Sequence, residues 1–338
     1  MGMFDAKIVG SIMFRSLFCC MCSGLILWPR VLPAAEKIRI AYGYRSNTMM
    51  PLWMAADGKY FQKHGLDVEI INVRGSGIGI AGLLSGEMHL FVMGATSPVA
   101  AIGQGMDLAA VMTLSNPYFV LLGRPELKTA GDLRGKTVAM GDIGGINDYA
   151  VAEGLKKFGI RANEYAKRVI GDQPARVTGL LLGQFDATLL SPPVNLMLEK
   201  KGFRRLFTTA DLKIPIPPSA FFVHRATLKR NAGAMEKVMK AMIEATKRVK
   251  DDKEQSIRLM QKYMRVDDRE ILDGAYTSAL ITFPERAPYV SVEAIENLLD
   301  LIATRNPKIK SLSAAATIDH TLLNKIESEG FLEQLYGK

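Results

Sequence analysis

Gly82-Leu83-Leu84-Ser85-Gly86-Glu87-Met88 returns 97 residues later as Gly179-Leu180-Leu181-Leu182-Gly183-Gln184-Phe185. Each copy runs from an apolar helix end, through a glycine stop, into an apolar strand. Glycine ends a helix this way because it enters the left-handed conformation without steric cost. Both strands then lead to a Ser-Pro step, Ser97-Pro98 and Ser191-Pro192.

Around the first copy, hydrophobic period predicts strands over 37–43, 66–73, 88–93, 108–114 and 118–122. Helices are predicted over 51–63, 78–84 and 98–104, the first opened by Pro51. Around the second copy the pattern restarts, with strands over 136–141, 165–170 and 185–190. Helices fall over 147–158, 174–182 and 193–200. Alternation of this kind makes a mainly parallel sheet with helices on both faces. The matched order predicts two similar α/β lobes.

Past residue 225 the period is helical, over 234–249, 255–263, 269–280, 292–304 and 321–328. Met235, Val238, Met239, Met242, Thr246 and Val249 form one stripe, read as core packing. The tail is a helical layer.

The 338 residues carry 43 Lys and Arg against 34 Asp and Glu, net +9. No basic run interleaves with aromatics, so nucleic-acid binding is not expected. The first 35 residues have the layout of a secretory signal peptide. Lys7 and Arg15 precede an apolar stretch over 16–28, and Leu32-Pro33-Ala34-Ala35 supplies the small-residue end. Cleavage fits after Ala34 or Ala35, and Met3 or Met13 can serve as the start. An uncleaved anchor is the alternative, although a span needs about 20 apolar residues. Without this segment the balance is 40 basic to 33 acidic residues, or +7. All three cysteines, Cys19, Cys20 and Cys22, leave with it. A mature chain without cysteine excludes disulfides, cysteine metal sites and thiol nucleophiles.

His64, His89, His224 and His320 are not at metal-ligand spacing, and no hydrolase, zincin or P-loop motif is present. Gly75-Ser76-Gly77-Ile78-Gly79 fails the dinucleotide spacing. No cofactor is expected. What recurs is a strand that ends in a small-residue turn and opens a helix. Tyr42–Asn47, Arg74–Gly77, Gly94–Ser97, Gly141–Asn147 and Ser191–Pro193 are such turns. Ligands of open α/β sheets sit at these carboxyl ends, where helix N–H groups favour an anion. The ordinary alternative at each turn is simple capping.

The chain resembles the nitrate/sulfonate/taurine type of ABC-transporter substrate-binding protein, a group similar in fold to the thiamine-pyrimidine synthases. The resemblance rests on Pro51-Leu52-Trp53-Met54-Ala55, on Gly58–Glu69 (GKYFQKHGLDVE), and on Gly75-Ser76. It continues in Leu83–Met88, Gly103–Asp107, Asp132–Val138 and Gly183–Ala187. It implies a type II periplasmic binding protein fold: two α/β lobes joined by two crossover strands, with the ligand in a hinged cleft. Pro117–Gly123 and Ser219–Arg225 suit the crossovers. Lobe one is then 36–120 with 221–338, which includes the helical C-terminal layer, and lobe two is 121–220. The Gly144-Gly145-Ile146-Asn147-Asp148 turn departs from the Gly-Ser then Asp or His common in that group.

The expectation is an exported, monomeric, non-catalytic receptor that passes a small organic molecule to a membrane permease. An anion such as a sulfonate or carboxylate fits best, with a pyrimidine-like precursor next. The alternative is an enzyme of thiamine-pyrimidine or menaquinone biosynthesis on the same fold. Expected ligand contacts are Tyr44, Arg45, Ser46, Trp53, Gly75, Ser76, Gly94, Ala95, Thr96, Ser97, Asn116, Gly144, Gly145, Asn147, Ser191 and Pro192. Arg45 or Arg74 can pair with an anion, and Tyr42, Tyr44 and Trp53 can stack on an apolar body.

Overall fold

The computed structural model describes residues 37–337 except 74, 142, 144, 145, 172 and 305. The leader, its cysteines and the Gly144-Gly145 pair therefore lie outside the described residues, as does Arg74. Among the described residues ten strands form two five-stranded sheets. They are β1 (Lys37–Tyr42), β2 (Asp67–Asn72), β3 (Leu90–Gly94), β4 (Leu108–Ser115) and β5 (Val120–Gly123), then β6 (Thr137–Met140), β7 (Ala166–Val169), β8 (Ala187–Leu190), β9 (Arg204–Thr208) and β10 (Ser219–His224). Sheet one runs β2-β1-β3-β10-β4 and sheet two β7-β6-β8-β5-β9.

The two orders are the same design. In each sheet the first strand sits between its parallel second and third partners. One antiparallel strand follows, and it is exchanged: β10 returns to sheet one, and β5 leads the chain into sheet two. The exchange makes the two crossovers. The second crossover strand stops at His224, and Arg225 opens a short helix to Arg230 instead of extending the strand.

The repeated heptapeptide has a packing reason. A Cβ on Gly82 would come within 2.6 Å of Met88 Cγ, and one on Gly179 within 2.5 Å of Phe185 Cε1. In both lobes the helix gives up a side chain so that the large residue six positions on can lie against it. Gly86 and Gly183 then turn the chain at φ 78° and 68°. Gly179→Ala is expected to lower stability. Overpacking costs about 1–3 kcal/mol, and the buried Phe185 has little room to yield. Alanine's helical advantage offsets roughly 1 kcal/mol of that. Gly233→Ala, with open space at its Cβ, should move the denaturation midpoint the other way.

Side chains alternate across each sheet as period two requires. Ile38 and Ile40 of β1 enter one core and Ala41 the other. Leu189 and Leu190 of β8 divide in the same way. The methionine stripe is core: Met235, Val238, Met239, Met242 and Val249 are at most 3% exposed. Their helix, Ala232–Asp251, packs on the helix Met50–Asp57.

Two local readings change. The helix expected over 51–63 is two, Met50–Asp57 and Tyr60–Lys63. Lys59 between them is left-handed at φ 60°, and a Cβ on Gly58 would meet Met54 O at 2.6 Å. Strand β9, Arg204–Thr208, was not expected, because its Arg-Arg start hides an edge strand. Among the described residues no helix is long and apolar enough to cross a membrane.

Candidate functional site

A cavity of about 650 Å³ opens where the parallel strands of both sheets end. The segment after β1 gives Tyr44 to Thr48, the end of β2 gives Asn72, the end of β3 gives Gly94, and the start of the helix after it gives Thr96. From sheet two come Ile146 beyond β6, Gln173 and Pro174 beyond β7, and Ser191, Pro192 and Val194 beyond β8. The segments entering the crossovers, Pro117–Phe119 and Ile216, Pro217 and Ser219, add further wall. Thr282 of the C-terminal layer completes it. Six carboxyl ends of parallel strands therefore meet on one space, the position where open α/β sheets hold ligands.

The local structure explains each placement. Ser46 caps the turn Asn47–Met49 and its Oγ accepts from Thr48 N–H at 3.3 Å. Tyr44 is held by a short hydrogen bond between its hydroxyl and Ser219 Oγ, which ties the β1 loop to the second crossover. Burial pushes the Tyr44 phenol up, with the Ser219 hydrogen bond opposing. Burial also raises Tyr118, opposed by the neighbouring Ser278 hydroxyl. Both phenols stay protonated at neutral pH.

Arg45 is the only charged side chain among the described lining residues. No described residue offers its guanidinium a hydrogen bond or ion pair. The remaining wall is largely apolar, from prolines, Phe119, Ile146, Val194 and Ile216. Such a space suits an organic body with one anionic group. Among the described residues no cluster of three or more His, Cys, Asp or Glu can hold a metal ion.

Of the residues singled out from sequence, Tyr44, Arg45, Ser46, Gly94, Thr96, Ser191 and Pro192 line the cavity. Trp53 does not. Its helix is buried from Met50 through Ala55 under the C-terminal layer, and the indole stacks on Tyr263. Its fluorescence therefore reports the core of lobe one. Tyr42 is also core. Gly75 and Ser76 form the turn and first residue of the helix Ser76–Ser85, outside the cavity wall. Ala95 is fully buried, and Ser97 and Asn147 are half-buried off the wall. Asn116 is exposed, and its backbone N–H donates to Thr282 O at 2.7 Å.

A family model described as NMT1/THI5 like matches residues 46–256, well over half of the chain. The chain belongs to the NMT1/THI5-like family. No curated protein matches this NMT1/THI5-like chain. Solved structures share its fold. The periplasmic aliphatic sulphonate binding protein SsuA from Escherichia coli aligns with a TM-score of 0.70 at 19% identity, covering 90% of this chain and 99% of its own. The periplasmic nitrate-binding protein NrtA from Synechocystis PCC 6803 gives 0.69 at 15%, covering 89% and 91%. The desulfurization enzyme DSZB gives 0.67 at 14%, covering 86% and 99%. These likenesses establish the two-lobed periplasmic binding protein fold for this NMT1/THI5-like chain.

Sequence reading missed Asn47, Thr48, Asn72, the Pro117–Phe119 and Ile216–Ser219 approaches, Ile146, Gln173, Pro174, Val194 and Thr282. The signal for the approaches was available, since segments that cross between two lobes must floor the cleft. Gln173 was also within reach: under the 97-residue repeat it falls on Ser76, the first helical residue after a strand. Thr282 carried no local signal, because the turn after the helix Arg269–Leu280 reaches the cleft only through tertiary packing.

Proposed function

We propose that this NMT1/THI5-like chain is an exported solute-binding protein. It captures a small organic anion between its lobes and delivers it to an ABC-transporter permease. The observation that carries the reading is the cavity where six strand ends from two lobes meet around Arg45, the one charged side chain among the described lining residues and unpaired among the described residues. The fold shared with sulphonate- and nitrate-binding proteins supports it. So does the export layout of residues 1–35. The chain acts as a monomer, with Tyr44, Arg45, Ser46, Thr96 and Ser191 among its ligand contacts. Closure of the lobes on the ligand is the motion this architecture allows.

A second reading, an enzyme on the same fold, draws on the likeness to DSZB. The mature chain carries no cysteine and the cavity no histidine or carboxylate among the described lining residues, so the chain offers little for covalent or acid–base work. Calorimetry and mass spectrometry on the purified chain separate the two. One organic anion bound per chain, recovered unaltered after long incubation, is the expected result. A product released from it would establish the enzyme.

A further inference from the structure

Three side-chain amides line the cavity, Asn47 and Asn72 from lobe one and Gln173 from lobe two, and a partner fixes the direction of each; Asn72 Nδ2 donates to the Tyr42 carbonyl oxygen at 3.1 Å. On the lobe-one wall, Asn47 Nδ2 donates to the Ala275 carbonyl oxygen at 2.8 Å and to Ser278 Oγ at 3.1 Å. A carbonyl only accepts, so the nitrogen must face it. Asn47 Oδ1 is left buried with no hydrogen-bond partner, on a residue 1% exposed. On the lobe-two wall, Gln173 Oε1 accepts from the Ser191 backbone N–H and from Ser191 Oγ, each at 3.1 Å. A backbone N–H only donates, so the oxygen faces it, and among the described residues Gln173 Nε2 keeps its two donors free. One wall therefore holds a buried acceptor that lacks a donor, and the other carries donors with no acceptor among the described residues.

The space between them is large. A cavity of about 650 Å³ equals roughly twenty liquid-water volumes of ~30 Å³. A nitrate ion would leave it mostly empty. Pro117, Phe119, Ile146, Pro192, Val194 and Ile216 make much of its wall apolar. None of the described lining residues is acidic, so an ammonium group finds no counter-charge there.

We infer that the cleft selects a bulky, mostly apolar organic acid that also carries a hydrogen-bond donor, a hydroxyaryl carboxylate being the simplest case. The acid faces Arg45 and Gln173 Nε2, and the donor serves Asn47 Oδ1. The inference rests on the solute-binding reading and narrows its ligand class. A buried acceptor without a donor is costly, and a ligand that supplies one removes that cost, whereas an isostere lacking it does not.

The test is calorimetry of the full chain with nitrate, taurine, naphthoate and hydroxynaphthoate as probes. Hydroxynaphthoate should bind saturably and roughly tenfold more tightly than naphthoate, the worth of about one hydrogen bond. Nitrate and taurine should give no saturable heat. Gln173→Glu keeps an acceptor for Ser191 but turns the free donor into an acceptor. It should weaken hydroxynaphthoate by about tenfold or more and leave the ligand-free melting midpoint unchanged. Equal binding of the two aromatic acids, failure of both, or an unaffected Gln173→Glu overturns the ligand class. Binding of nitrate or taurine alone overturns the class and leaves the solute-binding reading standing. Conversion of hydroxynaphthoate to a product overturns that reading itself.

Discussion

Trp53→Ala is expected to remove about 3–5 kcal/mol from the stability of lobe one, the range for truncating a large buried aromatic. The indole is fully buried and lies on the Tyr263 ring, with 4.7 Å between centroids and 3° between planes. Tyr263 is itself held by its hydroxyl, which donates to Asp57 Oδ1 at 2.9 Å at the end of the helix that carries Trp53. Met50, Leu52 and Met54 on that helix are equally buried, so no side chain is free to fill the void. The indole N–H has no partner among the described residues. Trp53→Phe removes that orphan donor and keeps a ring in the stack, and should therefore lose well under half as much. Urea unfolding measures both: the midpoint should fall in the order parent, Phe, Ala, with the slope unchanged. If phenylalanine costs as much as alanine, the stack is not what the indole contributes.

Trp53 also shows where sequence stops being informative. Pro51 and the apolar run announced a helix, and the helix is there. Which way its aromatic points depended on what covers it, and the cover is Tyr263 on the helix Lys253–Met264, some two hundred residues away. The 97-residue repeat was legible because it is local. A glycine, a stop and a large residue six positions on are one packing unit, and both copies fold alike. The exchange of β5 and β10 between sheets leaves no local trace, and was expected only through resemblance. Within the site, the turns after strands were legible because glycine and capping residues mark them, which is why Tyr44, Arg45, Thr96 and Ser191 could be singled out. Asn47 and Gln173 were harder, since what distinguishes them is the partner that fixes each amide: Ala275 for one, Ser191 for the other. A carboxamide reads the same in sequence whichever end faces the ligand. Ser76 and Asn147 lie at helix starts of the same kind and are not among the residues that line the cavity.

Arg45→Ala is expected to weaken binding of an organic anion by about 2–5 kcal/mol, the cost of leaving a desolvated charge without its partner. At 1.4 kcal/mol per factor of ten, that is a loss of roughly thirty- to several-thousand-fold. In the structure Arg45 is exposed and unpaired among the described residues, so the substitution breaks nothing in the ligand-free fold and the melting midpoint should hold. The large effect requires that lobe closure exclude water from the guanidinium, and its size therefore measures how dry the closed cleft is. Arg45→Lys keeps the charge and loses the planar fork that grips a carboxylate by two bonds, so it should fall between parent and alanine. Thr96→Ala, on the same wall, removes one neutral hydroxyl and should cost only about 0.5–1.5 kcal/mol. The ordering Arg45→Ala, then Arg45→Lys, then Thr96→Ala, read by calorimetry at fixed salt, is the expected result. Raising the salt should narrow the gap between parent and Arg45→Ala if the cleft stays wet, and leave it unchanged if closure dries it. An Arg45→Ala chain that binds as tightly as the parent would mean that the ligand is neutral and held by the apolar wall and the amides alone.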